Sequence, residues 1–154
     1  MTRFNLSMLS ALAMLLVGFC PLAQSGEVNG PPVVVALAEI EQEGGTIDVE
    51  KSDGQDVSSL EASREKVANE EIKALRFLDL RNLQAALDES AKLKDVKYLE
   101  INFCWTGPRT ISNTELDKIA AITSLEEIAI ADATFEGKEL KRLAKLANLK
   151  TIRL

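Results

Sequence analysis

The sequence predicts an α/β fold: a short solenoid with parallel strands on one face, helices on the other and an N-terminal helix–strand cap. Three observations carry this expectation. The apolar opening at Leu125, Ile128 and Ile130 returns at Leu149, Ile152 and Leu154, a spacing of 24 residues. A related opening at Val96, Leu99 and Ile101 stands 29 residues before Leu125. Inserting five residues between Cys104 and Ile111 brings Ile111, Leu116, Ile119 and Ile122 into step with Phe135, Leu140, Leu143 and Leu146. The third is composition: 46% of the chain is hydrophobic but only 5% aromatic, so aliphatic side chains must fill the core.

The elements follow in order. Residues 1–25 read as a signal peptide: Arg3, an apolar stretch from Leu6 to Phe19, Pro21, then Ala23 and Ser25 as the small residues before a cut at Gly26. The stretch falls short of the roughly 20 residues that cross a bilayer. Phe19 before Cys20 departs from a lipoprotein signal. Residues 26–32, with Gly30-Pro31-Pro32, form a flexible leader. Residues 33–74 make the cap and a possible degenerate first repeat. Within them Val33 to Glu43 is helical and stops at Gly44-Gly45, Thr46 to Glu50 alternates as a strand, and Ser52-Asp53-Gly54 turns. An early unit through Val57, Leu60, Val67 and Ile72 is shortened, because 18 residues separate Val57 from Leu75.

Repeats are expected from residue 75 to 154. Leu75, Leu78 and Leu80 open the first, followed by Leu83, Leu87 and Leu93 on a helix. The Val96 and Leu125 units come next. In the latter, Leu140, Leu143 and Leu146 line one side of a helix while Lys138, Glu139, Lys141, Arg142 and Lys145 look outward. No such unit buries its apolar side alone, so stacking supplies the core. Leu99, Ile101, Cys104, Ile128, Ile130, Leu140 and Leu143 are the expected core positions.

Val96 to Leu154 resembles the leucine-rich repeats, nearest the ribonuclease-inhibitor-like kind and of a small secreted bacterial type. Cys104 takes the ninth place of the pattern, where an inward Asn or Cys is usual, and Ala133 departs from it in the next unit. The resemblance implies a scaffold for contacts rather than a particular ligand.

Several function classes are disfavoured. A net charge of -6 without a basic run argues against nucleic acid. The absence of histidine removes the commonest general base and imidazole metal ligand, and no cofactor or metal is expected. With the signal removed, Cys104 is alone, so no internal disulfide forms. The acidic run Asp48 to Asp56 lacks the ligand spacing of a calcium loop. Asp79 and Glu100 are expected side by side on neighbouring strands. As paired carboxylates they are the remaining catalytic candidates, for a hydrolase ranked third.

The leading reading is therefore a non-catalytic module, secreted or in the periplasm or cell envelope, that binds an unknown protein partner. Alternation places Phe77 and Tyr98 as exposed neighbours, and the insertion adds Trp105 and Arg109. Trp, Tyr and Arg dominate binding hot spots. The runner-up is a self-associating structural envelope protein. There a homodimer forms through the uncapped strand at Leu149, Ile152 and Leu154.

Overall fold

The computed structural model describes residues 32–135 and 139–154. The expected signal peptide and residues 26–31 of the leader lie outside the described residues. Pro32 opens a helix instead of closing the leader. That helix, α1 (Pro32–Glu43), ends at Gly44-Gly45, both at positive φ, and the chain turns into β1 (Thr46–Lys51). A Cβ on Gly45 would sit 2.8 Å from the Leu78 carbonyl oxygen and the Leu80 Cα, so only glycine fits this turn.

A hairpin turn at Ser52–Gly54 leads to β2 (Asp56–Ser58) and α2 (Ser59–Glu65). Beyond a 3-10 turn (Asn69–Glu71) come β3 (Ile72–Leu78), α3 (Leu83–Ser90) and β4 (Tyr98–Asn102). Next are β5 (Arg109–Ile111), α4 (Asn113–Ala121), β6 (Glu127–Ala131) and β7 (Ala133–Phe135). A 3-10 helix (Glu139–Lys145) and β8 (Thr151–Arg153) complete the described elements.

The result is a mixed α/β molecule with a six-stranded, mostly parallel sheet in the order β2-β1-β3-β4-β6-β8. β3, β4, β6 and β8 run parallel, and β1 is antiparallel to both β2 and β3. β5 and β7 form a separate parallel pair. One face of the large sheet packs on the helices. Ile47, Val49, Leu75, Phe77, Leu99, Ile101, Ile128 and Ile130 point into that layer and are buried with Leu37, Leu87, Leu116 and Leu143.

Successive strands share one pattern of attachment. The amide of Lys97 donates to the Lys73 carbonyl (2.7 Å), that of Glu126 to Lys97 (2.8 Å) and that of Lys150 to Glu126 (2.7 Å). Ion pairs tie successive helical elements on the far side, Lys118 to Asp88 and Arg142 to Asp117.

The parallel run begins at Ile72, three residues before the expected opening. Leu75 stands opposite Leu99 and Phe77 opposite Ile101, so Ile72, Leu75 and Phe77 take the places expected for Leu75, Leu78 and Leu80. The observed frame keeps Arg76 out of the core. It also pairs the inward Ile47 and Val49 of β1 with Phe77 and Leu75. The spacing from Ile72 to Val96 is then 24 residues, the same as from Leu125 to Leu149.

The region of Val57 and Leu60 is not a shortened member of this run. It forms β2 and α2, which lie beyond β1 at the sheet edge. The expected helix on Leu140 and Leu143 is 3-10, with Leu143 buried and Leu140 partly so.

Candidate functional site

On the open face of the sheet, side chains of neighbouring strands form a charged network around Arg76. Its guanidinium contacts Glu50 at 2.8 Å, Asp56 at 2.6 Å and Glu100 at 3.8 Å. It also lies 5.6 Å from the centre of the Tyr98 ring, a cation–π arrangement. The Tyr98 hydroxyl donates to Glu100 at 2.9 Å. Desolvation, followed by that hydrogen bond and the Glu100 charge, pushes the Tyr98 pKa up to about 12. The phenol therefore stays protonated and acts as a donor, not as a base. Burial first, then the charges of Glu41 and Asp56, raises Asp48 at the adjoining edge.

Past the end of β4 the chain forms the Trp105 loop. Asp79 holds it. Its carboxylate accepts from the amides of Trp105 (3.1 Å) and Thr106 (3.0 Å), from the Thr106 hydroxyl (2.9 Å) and from the Cys104 thiol (3.5 Å). Desolvation works against the charged form of Asp79. The Thr106 and Trp105 hydrogen bonds outweigh it and hold the carboxyl below its usual range. Asp79 itself adopts φ +51°, a left-handed conformation that Asp tolerates better than most residues.

The far end of the loop is secured by Arg109. Its guanidinium donates to Glu115 at 2.5 Å and to the Leu80 carbonyl at 3.4 Å, and it lies 5.4 Å from the centre of the Phe103 ring. The Glu115 side chain is only 2% exposed. Its second oxygen accepts from the Ser112 amide and hydroxyl, both at 2.8 Å, while Ser112 accepts from the Glu115 amide, closing a capping box on α4. Between these anchors Trp105 is 89% exposed.

The expected patch is thus rearranged. Phe77 is 1% exposed and belongs to the core, because the true strand frame turns it inward. Its place beside Tyr98 is taken by Ala74. Tyr98 opens β4, and Trp105 lies beyond the other end, with a strand rise of about 13 Å between Tyr98 and Asn102 alone. The two rings do not adjoin. Arg109 supports the loop from beneath.

Asp79 and Glu100 are not a carboxylate pair either: Arg76 stands opposite Glu100, and Asp79 serves the loop. The expected core residue Cys104 is exposed, and Phe103 is buried beside it. The insertion turns the chain outward at this point. Desolvation and then the hydrogen bond to Asp79 raise the Cys104 pKa, which keeps the thiol protonated and a poor nucleophile.

The acidic run Asp48 to Asp56 is a β1–β2 hairpin. Beside it a depression of about 410 Å³ is walled by Lys51, Asp53, Glu65, Lys66 and Glu71, with Lys51 paired to Glu65 at 3.1 Å. Among the described residues there is no cluster of three or more metal-ligating side chains, and no helix is long and apolar enough to cross a membrane. At the β8 edge Leu149 is partly buried, whereas Ile152 is 43% and Leu154 64% exposed. Family models, curated proteins and solved structures yield no match to this chain.

Proposed function

We propose that the chain is a short solenoid of the leucine-rich-repeat kind that acts as a binding module, without catalysis, on a protein partner. The primary contact is the Trp105 loop. The single observation that carries this reading is an 89% exposed indole whose flanking backbone is fastened to Asp79. An aromatic side chain held out in water by a fixed loop loses little conformational freedom on binding. Tyr98 and Arg76 on the open sheet face add a second, polar contact region. The solenoid part of the reading is supported by the 24-29-24 spacing of Ile72, Val96, Leu125 and Leu149 and by the repeated backbone bond at each following residue. Secretion, or residence in the cell envelope, rests on the features of residues 1–25.

The test compares proteins captured by the wild type with those captured by Trp105→Ala and Tyr98→Phe. Trp105→Ala removes no core contact, so its stability should stay within about 0.5 kcal/mol of wild type. At least one captured protein should fall tenfold or more with Trp105→Ala. Identical sets from all three chains would sink the assignment.

A further inference from the structure

The large sheet ends in two three-residue strands, β2 and β8, each with one side unpaired among the described residues. Their directions agree. β2 is antiparallel to β1, which is antiparallel to β3, so β2 runs in the same sense as β3, β4, β6 and β8. Their side-chain alternation agrees as well. Val57 at the centre of β2 opposes the inward Val49, and Ile152 at the centre of β8 opposes the inward Ile128.

The two ends carry opposite charge. Residues 32–71 hold eleven Asp and Glu against three Lys and Arg, whereas residues 139–154 hold one against five. At the first end Glu50 and Asp56 share the single Arg76, with Asp48 close by. At the other, Lys145, Lys150 and Arg153 stand mostly exposed, each beside one carboxylate, Asp117, Glu126 and Glu127 in turn.

We propose that copies of this chain associate head to tail, β8 of one copy adding in parallel to β2 of the next. In-register addition sets Thr151, Ile152 and Arg153 beside Asp56, Val57 and Ser58 of the neighbouring copy. Ile152 then meets Val57 on the helix side of the joined sheet. Arg153 reaches Asp56 diagonally on the open side. The unpaired backbone groups of both strands gain partners. Pairing β8 with a second β8 would also cover Ile152, but it would bring together two segments with the same basic excess. A heterologous join of this kind closes into a ring or grows into a chain, depending on the rotation per step. The Trp105 surface is not part of it.

The experiment is light scattering and sedimentation of the purified chain, alone and in mixtures of two charge-reversed variants. Wild type is expected to grow in mass with concentration, and to do so less at about 0.5 M salt than at about 0.02 M, where charges are poorly screened. Asp56→Lys and Arg153→Glu should each be monomeric when alone. Mixing them supplies the native join at one pair of ends and a charge-swapped join at the other, so the mass of the mixture should again grow with concentration. That recovery also requires both variants to be folded. Trp105→Ala should assemble as wild type does. A monomeric wild type at every concentration and salt would overturn the proposal. So would assembly by Asp56→Lys alone, the signature of β8 pairing with β8, or a mixture that stays monomeric.

Discussion

Asp79 and Glu115 each use one carboxylate to fix several donors at opposite ends of the Trp105 loop. The folded Asp79 carboxyl lies below the usual aspartate value, so its contribution is present above that value and is lost as pH falls through the folded value. Asp79→Asn keeps a residue that tolerates positive φ but removes the charge. Amide exchange at Trp105 and Thr106 should therefore quicken in Asp79→Asn near neutral pH. Wild type should show the same change only under strong acid. Unchanged exchange in the variant would mean that the loop is held by other contacts.

Arg109→Ala tests the other anchor. It leaves the buried Glu115 oxygen without its cation, a loss of about 1–3 kcal/mol that chemical denaturation would register. The Ser112-x-x-Glu115 spacing is a sequence mark of a helix start, though it was not among the expectations drawn above. The partner of Arg109 was not legible in the sequence, because an ion pair across the β5–α4 turn depends on how that turn closes.

At the scale of elements, the β3 frame shows where pattern reading stops. Ile72, Leu75 and Leu78 recur every three residues, so two openings fit the same letters. Only the pairing with β1 and β4 separates them, and it turns Phe77 inward and leaves Leu78 half-buried. Phe77→Ala should cost about 3–5 kcal/mol, as for a buried ring left as a cavity. Leu78→Ala should cost distinctly less. Comparable losses in urea denaturation would contradict the frame.

The helical spacings were easier to read than their type. Leu116, Ile119 and Ile122 share their three-residue period with Leu140, Leu143 and Leu146, yet the first set lies on α4 and its C-cap and the second on or beside a 3-10 helix. A period of three suits 3-10 geometry. Ser112 and Glu115 fasten the first α-turn of α4, and the sequence has Glu136 where the next unit would need the serine. The β5–β7 pair carried no signal of its own, since Arg-Thr-Ile and Ala-Thr-Phe are too short to show alternation.

Across the whole molecule each strand pairs only with its neighbours in the sheet, so local stability should follow position along the order β2-β1-β3-β4-β6-β8. The backbone bonds at Lys97, Glu126 and Lys150 repeat the same joint three times, but the burial behind them falls away toward β8. Leu99 and Ile101 are fully buried, whereas the corresponding Ile152 and Leu154 are 43% and 64% exposed. The helical element before β8 is a 3-10 helix rather than an α-helix. Opening β8 alone exposes little new apolar surface, because Leu143 and Leu146 before it stay buried. Opening β3 or β4 breaks the core on both sides. Amides of Ile152 and Arg153 should therefore exchange through a small local opening in dilute solution. Those of Leu75, Phe77, Leu99 and Ile101 should wait for global unfolding. The difference should also appear in denaturant: exchange at β8 should be nearly insensitive to low urea, while exchange at β4 should accelerate in proportion to the surface exposed. Equal protection and equal urea dependence at the two strands would mean that the molecule opens as one cooperative body, contrary to the proposed solenoid.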